Sequence, residues 1–96
     1  MRPSDVLEQQ RDTIRTLVLQ AGMANPRVFG SVARGEDEDG SDLDLLIDPA
    51  PHTSLLKMAT LEAQLEAATG IKIDLRTPEE IHPRYRNKVL AEAASL

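Results

Sequence analysis

Residues 30–44 read GSVARGEDEDGSDLD, and the fold hinges on how this stretch is parsed. Gly30-Ser31 closes a short run, Arg27-Val28-Phe29, that reads as a strand. Ten residues separate Ser31 from Asp42-Leu43-Asp44, which opens a second strand continuing to Asp48. Side chains at i and i+2 of a strand share a face, so Asp42 and Asp44 point the same way. Between the strands, Ser31 to Arg34 reads as one helical turn and the rest, to Ser41, as an acidic loop. A strand ending at Gly30 and another starting near Asp42 make a tight antiparallel return. Both halves of the stretch then meet at one end of a sheet.

The flanking elements follow from periodicity and punctuation. Upstream, Ser4 is placed to cap a helix whose apolar positions Leu7, Ile14, Leu17, Val18 and Ala21 recur at helical spacing, with Gly22 as its stop. Asn25-Pro26 reads as a turn. Downstream, Pro49 and Pro51 end the second strand, and Thr53 or Ser54 caps a helix. That helix carries Met58, Leu61, Leu65 and Ala68 on one side, holds Glu62 and Glu66 away from it, and ends at Gly70. Ile71 to Thr77 is a third strand. Pro78 opens a short helical piece, Pro83 interrupts it, and a last helix runs from about Arg84 to Ala94. The order is α-β-(turn)-β-α-β-α, an α/β (α+β) arrangement with a small mixed sheet. No repeat or linker divides residues 1–96, which are expected to form one domain.

Two strands alternate in the same way. Leu43, Leu45 and Ile47 share one face, while Asp42, Asp44, Leu46 and Asp48 share the other; Ile71, Ile73 and Leu75 likewise oppose Lys72, Asp74 and Arg76. Strands buried on both faces would read as continuous apolar runs, so helices are expected on one face only. The other face collects Asp42, Asp44 and Asp74. Carboxylates about 6 Å apart repel by roughly 3 kcal/mol per pair at an effective dielectric near 20. A small domain needs a counter-charge to hold three, and Mg²⁺ suits them, because it takes one or two carboxylates and completes its shell with substrate phosphates. Gly30 allows close backbone approach, and the free N–H groups at Ser31 favour phosphate oxygens.

Composition narrows the possibilities. The chain has 96 residues, no Cys and no Trp, one Phe (Phe29) and one Tyr (Tyr85), so its core is aliphatic and thiol chemistry is excluded. Eleven basic against 16 acidic residues give a net charge of −5, which argues against direct nucleic-acid binding. No signal-peptide stretch or run of membrane-span length is present, so a soluble, cytoplasmic protein is the default expectation.

The Gly30-Ser31 pair, the ten-residue gap, Asp42-Leu43-Asp44 and the later Asp74 in KIDLRT resemble the nucleotidyltransferase superfamily that includes polymerase β. The compact size and the GSVARG wording are similar to the minimal nucleotidyltransferases, or MNT proteins. The resemblance implies that Gly30 and Ser31 hold the triphosphate of ATP or another NTP. It further implies that Asp42 and Asp44 coordinate two Mg²⁺ ions, and that Asp74 helps bind the catalytic metal and deprotonate the acceptor. It also implies a partner: such proteins are commonly paired with a helical HEPN-domain RNase toxin. Some are antitoxins that transfer AMP to a tyrosine of the toxin. The rivals are a binding antitoxin that masks its partner without catalysis, and an enzyme modifying a small molecule such as an aminoglycoside. Relatives of the latter kind usually carry an added acceptor domain.

Other residues have plainer readings. Arg34, four residues after Gly30, is expected to reach a phosphate rather than only pair with Glu36. Lys72 and Arg76 either neutralise phosphates or balance the carboxylates. A Ca²⁺ loop starting at Asp37 would put Asp42 where the EF-hand pattern needs glycine, so that register fails and Glu36–Asp39 reads as a solvated loop. His52 and His82 are expected at the surface. Arg84, Arg86 and Lys88 form the solvated basic side of a packed last helix, with Tyr85 in the packing and partner docking as the sharper alternative.

Overall fold

The computed structural model describes residues 1–96. Its elements are α1 (Pro3–Gln20), β1 (Ala24–Phe29), the short α2 (Gly30–Arg34), β2 (Leu43–Asp48), α3 (Leu55–Thr69), β3 (Ile73–Arg76), a 3₁₀ turn (Pro78–Glu80), α4 (Pro83–Glu92) and β4 (Ala94–Ser95). The sheet is mixed, in the order β3-β2-β1-β4. β1 runs antiparallel to β2 and β4, while β3 lies parallel to β2. The expected mixed α/β architecture is therefore present, with β4 as a fourth strand too short to leave a sequence pattern. No helix is long and apolar enough to cross a membrane.

The apolar alternation builds the core. Leu43, Leu45 and Ile47 of β2, Ile73 and Leu75 of β3 and Val28 of β1 meet Leu7, Ile14 and Val18 of α1 and Leu61 and Leu65 of α3 in one cluster. The second face is less open than its charges suggest. Leu46, on the Asp44 side of β2, is fully buried. Its β1 register partner is Arg27, whose guanidinium is held by Asp48 (3.1 Å), and the 3₁₀ turn packs against β2 as well.

Several local expectations are corrected. Ser4 is not the cap of α1: the helix starts at Pro3, and the Ser4 N–H donates to the Asp37 carboxylate at 2.9 Å. Asp37 is accordingly buried rather than solvated, because the free N–H groups and positive end of a helix favour a carboxylate. Asn25-Pro26 is not a chain reversal. Asn25, at φ +55°, makes an irregularity inside β1, which starts earlier than Arg27. Glu62 and Glu66 do not simply face solvent, since they accept the N–H groups of Leu75 (3.1 Å) and Ile73 (3.0 Å) along the exposed edge of β3. An edge strand otherwise offers unpaired donors for pairing with another chain. Tyr85 is 53% exposed instead of packed, with the Arg84 guanidinium over its ring. His82 caps α4 through Nδ1, and Arg86 donates to the carbonyls of Pro78, Glu79 and Ile81, so it staples α4 in place and is not free for docking. Ser54 does cap α3, accepting the Lys57 N–H, and Gly70 ends it with a left-handed φ.

Candidate active site

Strand register lines up the residues singled out from the sequence. Phe29, immediately before Gly30, pairs with Asp44 across β1 and β2, and Asp44 pairs with Asp74 across β2 and β3. Paired residues on neighbouring strands project to the same face, so Asp44 and Asp74 stand side by side with the Gly30 turn at their flank. The contact with the turn is tight: a Cβ on Gly30 would overlap Asp44 Oδ2 and fall 3.0 Å from its Cγ. With φ at +71° as well, position 30 admits only glycine without rearrangement. α2 starts at Gly30 and stops at Gly35, again through a left-handed φ.

The electrostatics show the tension expected of crowded carboxylates. Burial pushes the Asp44 carboxyl up to about 6, and the negative charges of Asp74 and then Asp42 add to the effect. The outer carboxylates have basic neighbours: Lys72 Nζ lies 4.0 Å from Asp42 Oδ2, and Arg76 Nε lies 3.1 Å from Asp74 Oδ1. Here Lys72 and Arg76 balance the carboxylates. With the side chains so placed, no three Asp, Glu or His groups converge into a finished metal cage. The donor set nevertheless fits Mg²⁺ in kind, being all hard oxygens with a central carboxylate whose charged form burial and the neighbouring Asp74 and Asp42 disfavour.

Arg34 pairs with Glu36 (3.1 Å) and with Glu92 at the end of α4 (3.1 Å). Glu92 also accepts the Gly30 N–H at 2.9 Å. Sequence reasoning missed this glutamate. It ends a helix far along the chain, and only the pairing of β4 with β1 carries that helix end to the Gly30 turn. No local pattern announces such a contact.

A mixed sheet that seats a glycine-only turn against paired strand carboxylates is the framework of a nucleotidyl-transferring enzyme. The nucleotidyltransferase domain family matches residues 7–96, and the chain belongs to that family. It is 39% identical over 71 residues to the protein adenylyltransferase MntA of Thermococcus cleftensis, an overlap covering 74% of this chain and 72% of that protein. Superposition on the solved structure of a protein assigned as a minimal nucleotidyltransferase gives a TM-score of 0.86 at 39% identity, covering 97% of this chain and 95% of the other. A chain from a toxin–antitoxin complex solved with AMP-PNP shares the fold, with a TM-score of 0.76 at 19% identity over 88% of this chain and 69% of that one.

Proposed function

We propose that this nucleotidyltransferase is a Mg²⁺-dependent protein adenylyltransferase that carries AMP from ATP to a tyrosine hydroxyl of a HEPN-type toxin, for which it is the antitoxin. The observation that carries the reading is the pair Asp44–Asp74, set by the register of β2 and β3, with Gly30 seated against Asp44 just past Phe29, its partner on β1. The similarity to a protein adenylyltransferase supports the choice of nucleotide and acceptor.

Gly30 brings the backbone close to the triphosphate, and Ser31 offers the N–H groups of a helical turn. Arg34 adds positive charge to the phosphates. The direction of the Gly30 N–H supports this role, since it already holds a carboxylate oxygen. Asp42, Asp44 and Asp74 would hold Mg²⁺, which when bound supplies charge neutralisation for the triphosphate and for the leaving pyrophosphate. Asp74 lies at the outer end of the row and receives the acceptor's proton. As the acceptor oxygen bonds to the α-phosphorus, the bond from that phosphorus to the bridging oxygen breaks and pyrophosphate departs. The contribution of the chain is positioning and electrostatics rather than covalent chemistry. The acceptor side chain comes from the partner.

Incubation with the HEPN partner, Mg²⁺ and α-labelled ATP is expected to label the partner, and Asp42→Asn/Asp44→Asn to abolish labelling. Labelling that survives the double substitution would sink the assignment. One observation favours a masking contribution besides catalysis: Leu55 and Leu56 at the start of α3 are 86% and 77% exposed. Full neutralisation of the toxin by the Asp42→Asn/Asp44→Asn protein would make masking sufficient.

A further inference from the structure

Glu92 occupies two of the three groups that the proposed function assigns to phosphate, Gly30 and Arg34, and leaves Ser31 free of it. Its Oε1 accepts the Gly30 N–H at 2.9 Å and an Arg34 NH1 hydrogen at 3.1 Å, and its Oε2 lies 3.4 Å from the same nitrogen. A carboxylate shared between a backbone N–H and a guanidinium has the charge, the acceptor atoms and the spacing of a phosphate edge. The Glu92 side chain is only 19% exposed, so this is a seated contact and not a passing surface pair.

The chain around Glu92 is arranged to deliver it. α4 ends at Glu92, Ala93 turns to extended backbone, and Ala94 and Ser95 pair with Val28 and Arg27 on the strand that feeds the Gly30 turn. The Leu96 N–H closes the segment on the Pro26 carbonyl at 3.2 Å. On its far side this anchor is slight, because β4 is two exposed residues long, while Arg86 keeps the body of α4 in place, so only the helix end and the Glu92 side chain have to move. Such a tether holds a side chain in place at rest and yields at small cost.

We infer that Glu92 is a self-inhibitory latch: its carboxylate stands in for phosphate on Gly30 and Arg34, and the nucleotide must displace it to bind. The inference rests on the reading of the Gly30 turn as the triphosphate site. Latched molecules cannot take the triphosphate, so the apparent affinity falls by the fraction that is unlatched. The competition is for phosphate, so it acts on inorganic tripolyphosphate as it does on ATP, and leaves adenosine unaffected.

The experiment measures binding of ATP with Mg²⁺, of tripolyphosphate with Mg²⁺ and of adenosine to the wild-type chain, Glu92→Ala and Glu92→Gln by calorimetry. Melting curves confirm that each variant is folded, and the near-isosteric Glu92→Gln covers the case in which the alanine variant is not. Removing the carboxylate is expected to tighten ATP and tripolyphosphate by roughly tenfold or more, given the usual strength of charge-assisted hydrogen bonds. Glu92→Gln should show a smaller gain, because its amide oxygen can still accept the Gly30 N–H. Equal or weaker binding by both variants, with ATP bound by the wild type, overturns the latch and leaves the phosphate site standing. Failure of all three proteins to bind ATP or tripolyphosphate overturns the phosphate site, and the latch falls with it.

Discussion

The two faces of β2 and β3 differ in how their side chains are satisfied. On one, Leu43, Leu45, Ile47, Ile73 and Leu75 are all buried against α1 and α3. On the other, two residues of the same strands place Asp44 beside Asp74, where burial and like charge hold the Asp44 carboxyl near 6. The first face gains free energy from its neighbours throughout, whereas the second, which also buries Leu46 and pairs Arg27 with Asp48, loses it at Asp44. The lesson is that a domain of this size keeps an electrostatically unfavourable row because the opposite side of the same strands is well packed. On the proposed function, the missing charge is what a bound cation would supply.

The largest expected effect breaks the favourable face. Leu45→Ala leaves a cavity under the middle of the sheet and should destabilise by about 2–5 kcal/mol, read from denaturant unfolding. Since the whole domain is held by roughly 5–15 kcal/mol, this one change reaches a large part of its stability. A loss below about 1 kcal/mol would mean that β2 does not carry the core.

Next comes the junction between turn and carboxylate. Gly30→Ala introduces a Cβ at a left-handed φ and against Asp44, so a loss of about 1–3 kcal/mol is expected, together with loss of partner labelling. Adding Asp44→Ala should restore part of that stability by removing the clash, a coupling that a double-mutant cycle reads directly. Additive losses would place the glycine and the aspartate out of contact.

The pH dependence is smaller and has a definite sign. The Asp44 carboxyl titrates near 6 in the fold against an ordinary 3.8, so the folded state holds this proton more tightly than the unfolded one. Its contribution to stability is therefore complete below the unfolded value and is lost as pH rises through about 6. Asp37, held down by the Ser4 N–H, and Asp48, held down by Arg27, act oppositely and lose their contributions as pH falls below the carboxylate range. Metal-free protein should thus melt highest near pH 5 and decline toward pH 7, by roughly 1 kcal/mol once solvent screening is allowed for. Asp44→Asn should flatten the decline. A decline that persists in the variant would assign the titration to another group. The smallest effect concerns the helix start: Asp37→Ala removes a capping carboxylate from α1 and should cost about 1 kcal/mol in the same unfolding measurement.

The division between the faces was legible in the sequence, because strand alternation is a local property that tertiary contacts rarely reverse. Leu43 against Asp44 and Ile73 against Asp74 give each strand its two faces, while the adjacency of the strands and the pairing of Asp44 with Asp74 are set by the fold. Contacts spanning the chain were not legible. Asp37 reads as part of an acidic loop until α1 is packed beside it, and Glu62 and Glu66 read as solvent-facing until β3 becomes a sheet edge. Glu92 is the extreme case, since its role at Gly30 depends on a strand of two residues. Periodicity reports what an element buries along its length and says nothing of what its end touches.

On the proposed function, the Asp44 row is unfavourable until cation and triphosphate bind. The most direct test compares the melting of wild-type protein and Asp44→Asn at pH 7, each with and without Mg²⁺ and ATP. Without ligand, Asp44→Asn should be the more stable of the two. With ligand at about a hundred times its dissociation constant, the wild type should gain roughly 2.7 kcal/mol by mass action, and the variant should gain almost nothing. A metal-free variant less stable than wild type, or one stabilised equally by Mg²⁺ and ATP, would contradict the claim.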